Sequence, residues 1–337
     1  MTTMSKPTVL EICAGGGGQA CGLEAAGFEH VGAIELEAIA CETLRLNRPN
    51  WDVHNADVHS VNARAWRGVD LFAGGVPCPP FSVAGKQLGA EDERDLFPRA
   101  LEMISEAKPR AVLLENVPGF ASAKFDEYRN IIIAKLSLMG YHADYRILQA
   151  SDFGLAQLRP RFVLVALEPS IAQRFRWPTP RDARATVGAT LRDLMAARGW
   201  RGADKWSQLA NGIGPTIVGG SKKHGGPDLG PTRARTQWAE LHVDGAGIAN
   251  DAPDEAFPVD AMPKLTVRMV ARLQGFADDW VFAGKKTATY RQVGNAFPPP
   301  VAEAIGREIS LALASSPPRD VASLRPRVHG SRRQCLA

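Results

Sequence analysis

The chain has 337 residues, 45% hydrophobic and 23% charged, with a net charge of +4. That is enough apolar material for a large core in one or two domains, and no apolar run approaches the roughly 18 residues that a membrane span needs. Met1–Pro7 has no apolar signal-peptide segment, and the five cysteines form an odd set without a Cys-x-x-Cys pair. No disulfide framework, zinc site or other metal site is expected, and a reducing cytoplasm is the expected compartment.

The charge is unevenly spread. Residues 1–170 carry 16 Lys and Arg against 21 Asp and Glu, whereas residues 171–337 carry 24 against 15, and 171–240 alone holds 12 against 5. An acidic first half and a basic second half suggest a small-molecule domain joined to one that meets a polyanion.

From residue 8 to 167, short β-rich runs alternate with helical stretches, which predicts a parallel α/β sheet. The candidate strands are 8–12, 30–34, 69–73, 111–114, 145–148 and 162–166. The candidate helices between them are 19–26, 37–46, 97–107 and 128–138. Pro178-Thr179-Pro180 breaks the rhythm. Residues 180–262 are rich in Gly and Pro, with isolated Trp177, Trp200, Trp206 and Trp238 in and beside them. They predict a separate, mostly irregular or β-containing domain. Helical pattern returns at Thr266–Gly275 and from Pro300 to Leu313. The Pro-, Arg- and Ser-rich stretch 314–337 predicts a disordered basic tail.

Four segments carry chemistry. Val9-Leu10-Glu11-Ile12-Cys13-Ala14-Gly15-Gly16-Gly17-Gly18 reads as a strand, a glycine loop and a helix start, which lets backbone approach a ligand closely. Glu35 ends the second strand, where a carboxylate can bind ribose hydroxyls, and Asp57 ends a possible short third strand. Val76-Pro77-Cys78-Pro79-Pro80-Phe81-Ser82 walls one cysteine in with prolines after a buried strand. That presents a thiol in a fixed direction, although a free Cys is also often an inert small hydrophobe. Glu115-Asn116-Val117 places a carboxylate at the carboxyl edge of a strand, where apolar surroundings raise its pKa; a cap or surface ion pair is the plainer reading. Gln157-Leu158-Arg159-Pro160-Arg161 puts two arginines two apart on an extended segment, suited to a phosphate or a base oxygen, or merely an exposed basic edge.

In order, these segments resemble the bacterial C5-cytosine-specific DNA methyltransferases. Leu10–Gly18 looks like that family's cofactor loop, Pro77–Ser82 its catalytic loop, Glu115–Val117 its Glu-Asn-Val motif and Gln157–Arg161 its Gln-x-Arg-x-Arg motif. Leu265–Phe276 and Tyr290–Ala296 look like its last two motifs. The likeness covers about 8–168 and 263–312.

The resemblance implies a Rossmann-like methyltransferase sheet, 1–170 plus 263–313, and a smaller target-recognition domain, 171–262. It implies transfer of a methyl group from S-adenosyl-L-methionine to C5 of a flipped-out cytosine in duplex DNA. Cys78 would add to C6, Glu115 would bond and protonate N3, Arg161 would hold O2, and Arg159 would hold backbone phosphate or orient the site. Cofactor contacts carried over are Cys13, Ala14, Gly15, Gly16, Gly18, Glu35, Leu36, Asp57, Val58, Pro77, Leu96, Asn295 and Ala296. Ser82 and Lys86 belong to a closing loop, and Lys222, Lys223, Arg233 and Arg235 would meet DNA. The segment Thr216–Ser221 looks like the recurrent core of such recognition domains.

A monomer is expected, working either as the modification partner of a restriction endonuclease that it need not touch or as an orphan enzyme. Cys13 and Leu36 stand where the family usually has aromatic residues, and Met269 stands where it usually has an acid. The rival readings are a tRNA methyltransferase of the same family, a nucleotide-dependent oxidoreductase and a non-catalytic DNA-binding module. The size of the insert after Arg161 argues against the first. The oxidoreductase reading leaves Pro77–Ser82 unexplained, and the presence of Cys78 with Glu115 argues against the last.

Overall fold

In the computed structural model, residues 6–77, 95–181, 185–219 and 227–314 are described. Seven strands form one sheet: β1 (Thr8–Ile12), β2 (Glu29–Glu35), β3 (Val53–Asn55), β4 (Leu71–Gly75), β5 (Ala111–Asn116), β6 (His142–Gln149) and β7 (Pro160–Leu167). Their order is β3-β2-β1-β4-β5-β7-β6. β1 to β5 run parallel, as the pattern predicts. β7 departs from that expectation and pairs antiparallel with both β5 and β6. The cause is the link between Gln149 and Pro160, which holds only a short 3-10 turn at Ala150–Phe153. A parallel return needs a crossover of a dozen or more residues.

Helices cover both faces. On one side α1 (Gly18–Ala25) packs against α11 (Pro299–Ala314). There Val9, Leu71 and Ala73 meet Phe297, Val301 and Ile305. On the other side are α3 (Phe97–Ala107) and α4 (Asp126–Leu138). Leu10, Ile12, Phe72 and Leu114 pack there with Phe97 and Ile104. α2 (Ala38–Asn47) follows β2. Burying both sheet faces explains why the strands read as continuous apolar runs.

In the second half, the described residues of 180–262 are mostly irregular, as expected, but the regular elements there are helices and not strands. That half contains α5 (Pro169–Ala172), α6 (Val187–Ala196), α7 (Ala203–Leu209) and α8 (Thr232–Glu240), followed by α9 (Val267–Gln274) and α10 (Lys286–Asn295). No strand occurs among the described residues of 171–262. These helices are short, and α7 and α8 bury little besides Trp206 and Trp238, so no long helical period shows in the sequence. The buried apolar residues of α6 to α10 share one apolar cluster with Leu265, whereas Ile171 of α5 packs with the α1–α11 side of the sheet.

Met269 has a structural role. The Thr266 hydroxyl accepts from the Met269 N–H at the start of α9, and the Thr266 N–H donates to Met269 Sδ at 3.4 Å. The thioether fills the third position of a capping box, where an acid would supply a carboxylate. No helix among the described residues is long and apolar enough to cross a membrane, and none of their His, Cys, Asp and Glu groups could hold a metal ion.

Candidate active site

The carboxyl edge of the parallel strands opens onto a cavity of about 450 Å³. Of the residues carried over as cofactor contacts, Cys13, Ala14, Gly15, Gly16, Gly18, Glu35, Asn295 and Ala296 line it, as does Glu115. The glycine loop is shaped from both sides. Gly17 takes φ +90° and caps α1, and the Trp280 indole N–H donates to the Gly16 carbonyl at 3.1 Å. At Gly18 a Cβ would lie 2.3 Å from the Phe297 carbonyl oxygen, so only glycine lets α1 reach the segment that leads into α11.

Glu35 is held at the end of β2 by two backbone donors, Gly15 N–H at 2.8 Å and Glu37 N–H at 2.7 Å. Cys13 has φ +52° and faces the cavity. Burial first, and then Glu35, Glu11 and Asp57, push its thiol up to about 12. It therefore stays protonated and is no nucleophile. Leu36 is 62% exposed, and it lies outside the cavity lining together with Asp57, Val58, Pro77 and Leu96. Asp57 instead caps a 3-10 turn by accepting from the His59 N–H.

At the deep end Glu115 meets Arg161, with Oε1 2.8 Å from Nε. Burial raises the Glu115 carboxyl, and Arg161 and Arg159 oppose it. The neighbouring strand ends here too. Gly75 is the register partner of Glu115, the Val76 N–H donates to the Glu115 carbonyl, and the Asn116 amide donates to the Val76 carbonyl. Cys78 follows two residues later in the chain but lies outside the described residues, as do Ser82, Lys86, Lys222 and Lys223.

The two arginines do not act as a pair on phosphate. Arg159 is 1% exposed. It donates to the carbonyls of Ile217, Gly294 (2.7 Å) and Ala296 (2.9 Å). The phosphate role expected for it is corrected; the guanidinium fastens β7 to the second half, which is the orienting alternative. Gln157 works beside it, donating to Gln274 Oε1 at 2.6 Å and accepting from the Ile217 N–H at 2.8 Å, while Gln274 donates to the Val293 carbonyl. Gly219 and Gly294 touch backbone to backbone, since a Cβ on Gly294 would sit 2.4 Å from Gly219 Cα. Arg233 is exposed on α8 and Arg235 is half-buried there.

Sequence reasoning missed Glu11, Gln19, Glu37, Arg291 and Gln292 in the lining. Glu11 had a visible signal, a lone charge inside the apolar run Val9–Ile12. The cavity is acidic: Glu11, Glu35, Glu37 and Glu115 face a single cationic residue, Arg291, among the described lining. That field favours a ligand bearing positive charge.

A seven-stranded sheet in this order, with a glycine loop and a buried carboxylate at its carboxyl edge, has the architecture of a methyltransferase. A family model, "C-5 cytosine-specific DNA methylase", matches residues 7–311. The chain is 57% identical to the type II methyltransferase M.NaeI of Lentzea aerocolonigenes, over 92% of this chain and 76% of the relative. It is 50% identical to M.NgoMIV of Neisseria gonorrhoeae, over 91% of this chain and 98% of that one. Among solved structures, the Dnmt2 methyltransferase of S. pombe superposes with a TM-score of 0.61 at 19% identity, covering 92% of this chain and 99% of that one. The chain belongs to the C-5 cytosine-specific DNA methylase family and is a DNA methyltransferase acting at C5 of cytosine.

Proposed function

We infer that the cavity binds S-adenosyl-L-methionine and that the methyl group goes to a cytosine turned out of a specific duplex sequence. The observation that carries this reading is the Glu115–Arg161 pair at the carboxyl edge, beside the end of the strand that leads to Cys78 and open to the acidic cavity. The donor fits: a sulfonium and an ammonium against one carboxylate make it a net cation, suited to a lining that carries Glu35 and Glu37. It supplies an electrophilic methyl group. Glu35 is placed for the ribose hydroxyls, and Cys13 and Ala14 line the wall assigned to adenine.

Cys78 thiolate adds to cytosine C6, and the ring electrons move toward C5, which becomes nucleophilic. Glu115, whose carboxyl burial raises, gives its proton to N3 as negative charge builds there. Arg161 orients that carboxyl and offers its guanidinium to O2. After methyl transfer the C5 proton leaves and the thiolate is expelled, restoring the ring. Arg159 positions the site through three carbonyls and touches no substrate.

Residues 171–262 supply target recognition, with Arg233 on the exposed side of α8 and Lys222 and Lys223 meeting phosphate. The identity to M.NaeI and M.NgoMIV extends over more than nine-tenths of the chain and so includes most of this segment. The protein accordingly reads a specific duplex sequence and serves as the modification partner in a restriction-modification system, in the cytoplasm.

The test is methylation of plasmid DNA with labelled S-adenosyl-L-methionine, followed by bisulfite sequencing. One duplex sequence should be protected in full, and Cys78→Ala should remove all transfer while retaining duplex binding. Duplexes carrying 5-fluorocytosine at the target should trap the wild type covalently. Trapping by Cys78→Ala, or turnover by it, overturns the assignment.

A further inference from the structure

Helix α8 buries one residue, Trp238, and its other side chains are polar or small. A helix that is polar nearly all round gains little from packing and is held by its ends or by a partner. Residues 211–240 carry Lys222, Lys223, Arg233 and Arg235 against Asp228 and Glu240. Positions i and i+4 share a helix face, which puts Arg233 beside Gln237. Both are exposed, and among the described residues neither has a hydrogen-bond or ion-pair partner. Arg235 is turned away from Arg233 by roughly 200°. Its stem packs at Gly245, where a Cβ would lie 3.1 Å from Arg235 Cγ.

Both ends of α8 are fastened to the catalytic edge. Trp238 is fully buried, and a Cβ on Gly214 would lie 2.4 Å from its ring, so the indole rests directly on backbone. The Gly214 carbonyl accepts from the Leu158 N–H at 2.7 Å, in the segment that carries Arg159 and Arg161. At the other end the Tyr290 hydroxyl donates to the Asp228 carbonyl, and Asp228 Oδ1 accepts from the Gly230 N–H at 2.9 Å. A Cβ on Gly230 would meet Val218 at 3.5 Å, next to the Ile217 carbonyl that Arg159 holds. The helix is therefore braced against the strand start that bears Arg161, with the face of Arg233 and Gln237 turned outward.

We propose that α8 is a recognition helix: it enters the major groove of the target duplex, where Arg233 bonds a guanine and Gln237 a base nearby. The inference deepens, and rests on, the reading that residues 171–262 recognise the target. A major groove about 12 Å wide admits one α-helix, and its phosphates attract the basic segment around α8. The base edges suit the two side chains. A guanidinium fork spans guanine O6 and N7, and a carboxamide both donates and accepts. Residues i and i+4 are about 6 Å apart along a helix axis, and base pairs are about 3.4 Å apart. Arg233 and Gln237 thus read positions one or two steps from each other. Arg235 packs the helix down and reads nothing. Because Trp238 and Tyr290 tie α8 to the catalytic edge, the base pairs it reads fix which cytosine comes to Glu115.

The test is kcat/KM for methyl transfer on the duplex identified by bisulfite sequencing and on duplexes with each of its base pairs replaced in turn. Arg233→Ala should lower kcat/KM on the target by about 10- to 100-fold, and discrimination at one G·C pair should fall by the same factor, the scale of one bidentate base contact. Gln237→Ala should relax a different pair, one or two steps from the first. Discrimination at the remaining pairs should hold in both variants. A uniform loss over all duplexes makes Arg233 a phosphate contact and overturns the proposal, as does unchanged discrimination in both variants. If wild type methylates all the duplexes alike, the reading of 171–262 as the recognition segment fails instead, which is a distinct result. Both side chains are exposed, so the melting temperature should stay at the wild-type value. Should Arg233→Ala nonetheless unfold, Arg233→Gln, which keeps a long polar side chain and loses the fork, decides the same point.

Discussion

Arg161 Nε lies 2.8 Å from Glu115 Oε1, and the two side chains are only 10% and 12% exposed. The pair joins the edge of β5 to the start of β7, strands that run in opposite directions. That antiparallel step is what brings a residue from the far end of the chain's first half against the carboxyl edge. Desolvation raises the Glu115 carboxyl and lowers the Arg161 guanidinium, and each partner opposes the other's shift. The net result is a carboxyl able to carry a proton at a higher pH than an exposed one.

The raised carboxyl has a consequence for stability. The folded protein holds a proton on Glu115 that the unfolded chain has already released. The stability this gives is fully present below the ordinary value of 4.5 and is lost as pH rises through the folded value. Glu115→Gln cannot titrate. Its melting temperature, measured against wild type, should therefore climb as pH rises from 4.5 toward neutrality. A difference that stays flat across that range would show that Glu115 titrates normally.

Arg159 and Arg161 should separate cleanly on substitution. Arg159→Met strips donors from the carbonyls of Ile217, Gly294 and Ala296, all in a buried junction. Hydrogen bonds to a charged group are worth about 1.5–3 kcal/mol each, so a loss of about 3 kcal/mol or more is expected. Denaturant unfolding should show it. Arg159→Lys should not rescue, since an ammonium cannot span three carbonyls as a planar fork does. Arg161→Met should instead lower the rate of methyl transfer by about 100-fold or more, the scale of one lost transition-state donor, with a smaller effect on unfolding. Equal stability losses for the two would mean that both are structural.

Much of the sheet was legible because buried strands leave apolar runs and the glycine loop and proline-flanked cysteine are local in sequence. Glu35 and Glu115 were legible for the same reason, each being the first charge after such a run. Arg159 was misread because alternation predicts a shared face with Arg161, whereas Arg159 precedes β7 and its partners lie more than fifty residues away. The fate of Leu36 and the helices of 185–262 depends on packing between distant segments, which no local pattern records. Gly294 is the clearest case. Its sequence context gives a helix end, and only the structure shows Gly219 pressed against it.

Glycines of the cofactor loop should differ sharply from one another. Gly15 has φ +55° and open space where a Cβ would point. Gly15→Ala should cost about 1–2 kcal/mol from the left-handed backbone alone and leave the fold intact. Gly18 has an ordinary backbone conformation, yet its Cβ would meet the Phe297 carbonyl oxygen at 2.3 Å and Ala296 Cβ at 2.8 Å. Overpacking of that kind costs about 1–3 kcal/mol or more, and it separates α1 from the segment that carries Asn295 and Ala296. Gly18→Ala should therefore lose cofactor affinity as well as stability, by calorimetry and thermal unfolding. If the two variants behave alike, the close approach at Gly18 is not what keeps a glycine there.

The wall proposed for adenine is the most tunable part of the site. Cys13 lines the cavity, and it replaces the aromatic residue of the family pattern with a small thiol. A ring stacked on adenine adds on the order of 1 kcal/mol beyond plain burial. Cys13→Phe should accordingly tighten S-adenosylhomocysteine several-fold. The backbone strain at φ +52° is already carried by Cys13, so a larger side chain adds little to it. The competing effect is overpacking against Glu35 and the partly buried apolar residues beside it, which would appear as a lower melting temperature. The rate of the chemical step should hardly move, because adenine is remote from the sulfonium and is bound alike before and during transfer. Calorimetry together with single-turnover kinetics checks both halves. A variant that melts like wild type yet binds no more tightly would place adenine elsewhere than against residue 13, and a changed single-turnover rate would mean that this wall reaches the reacting atoms.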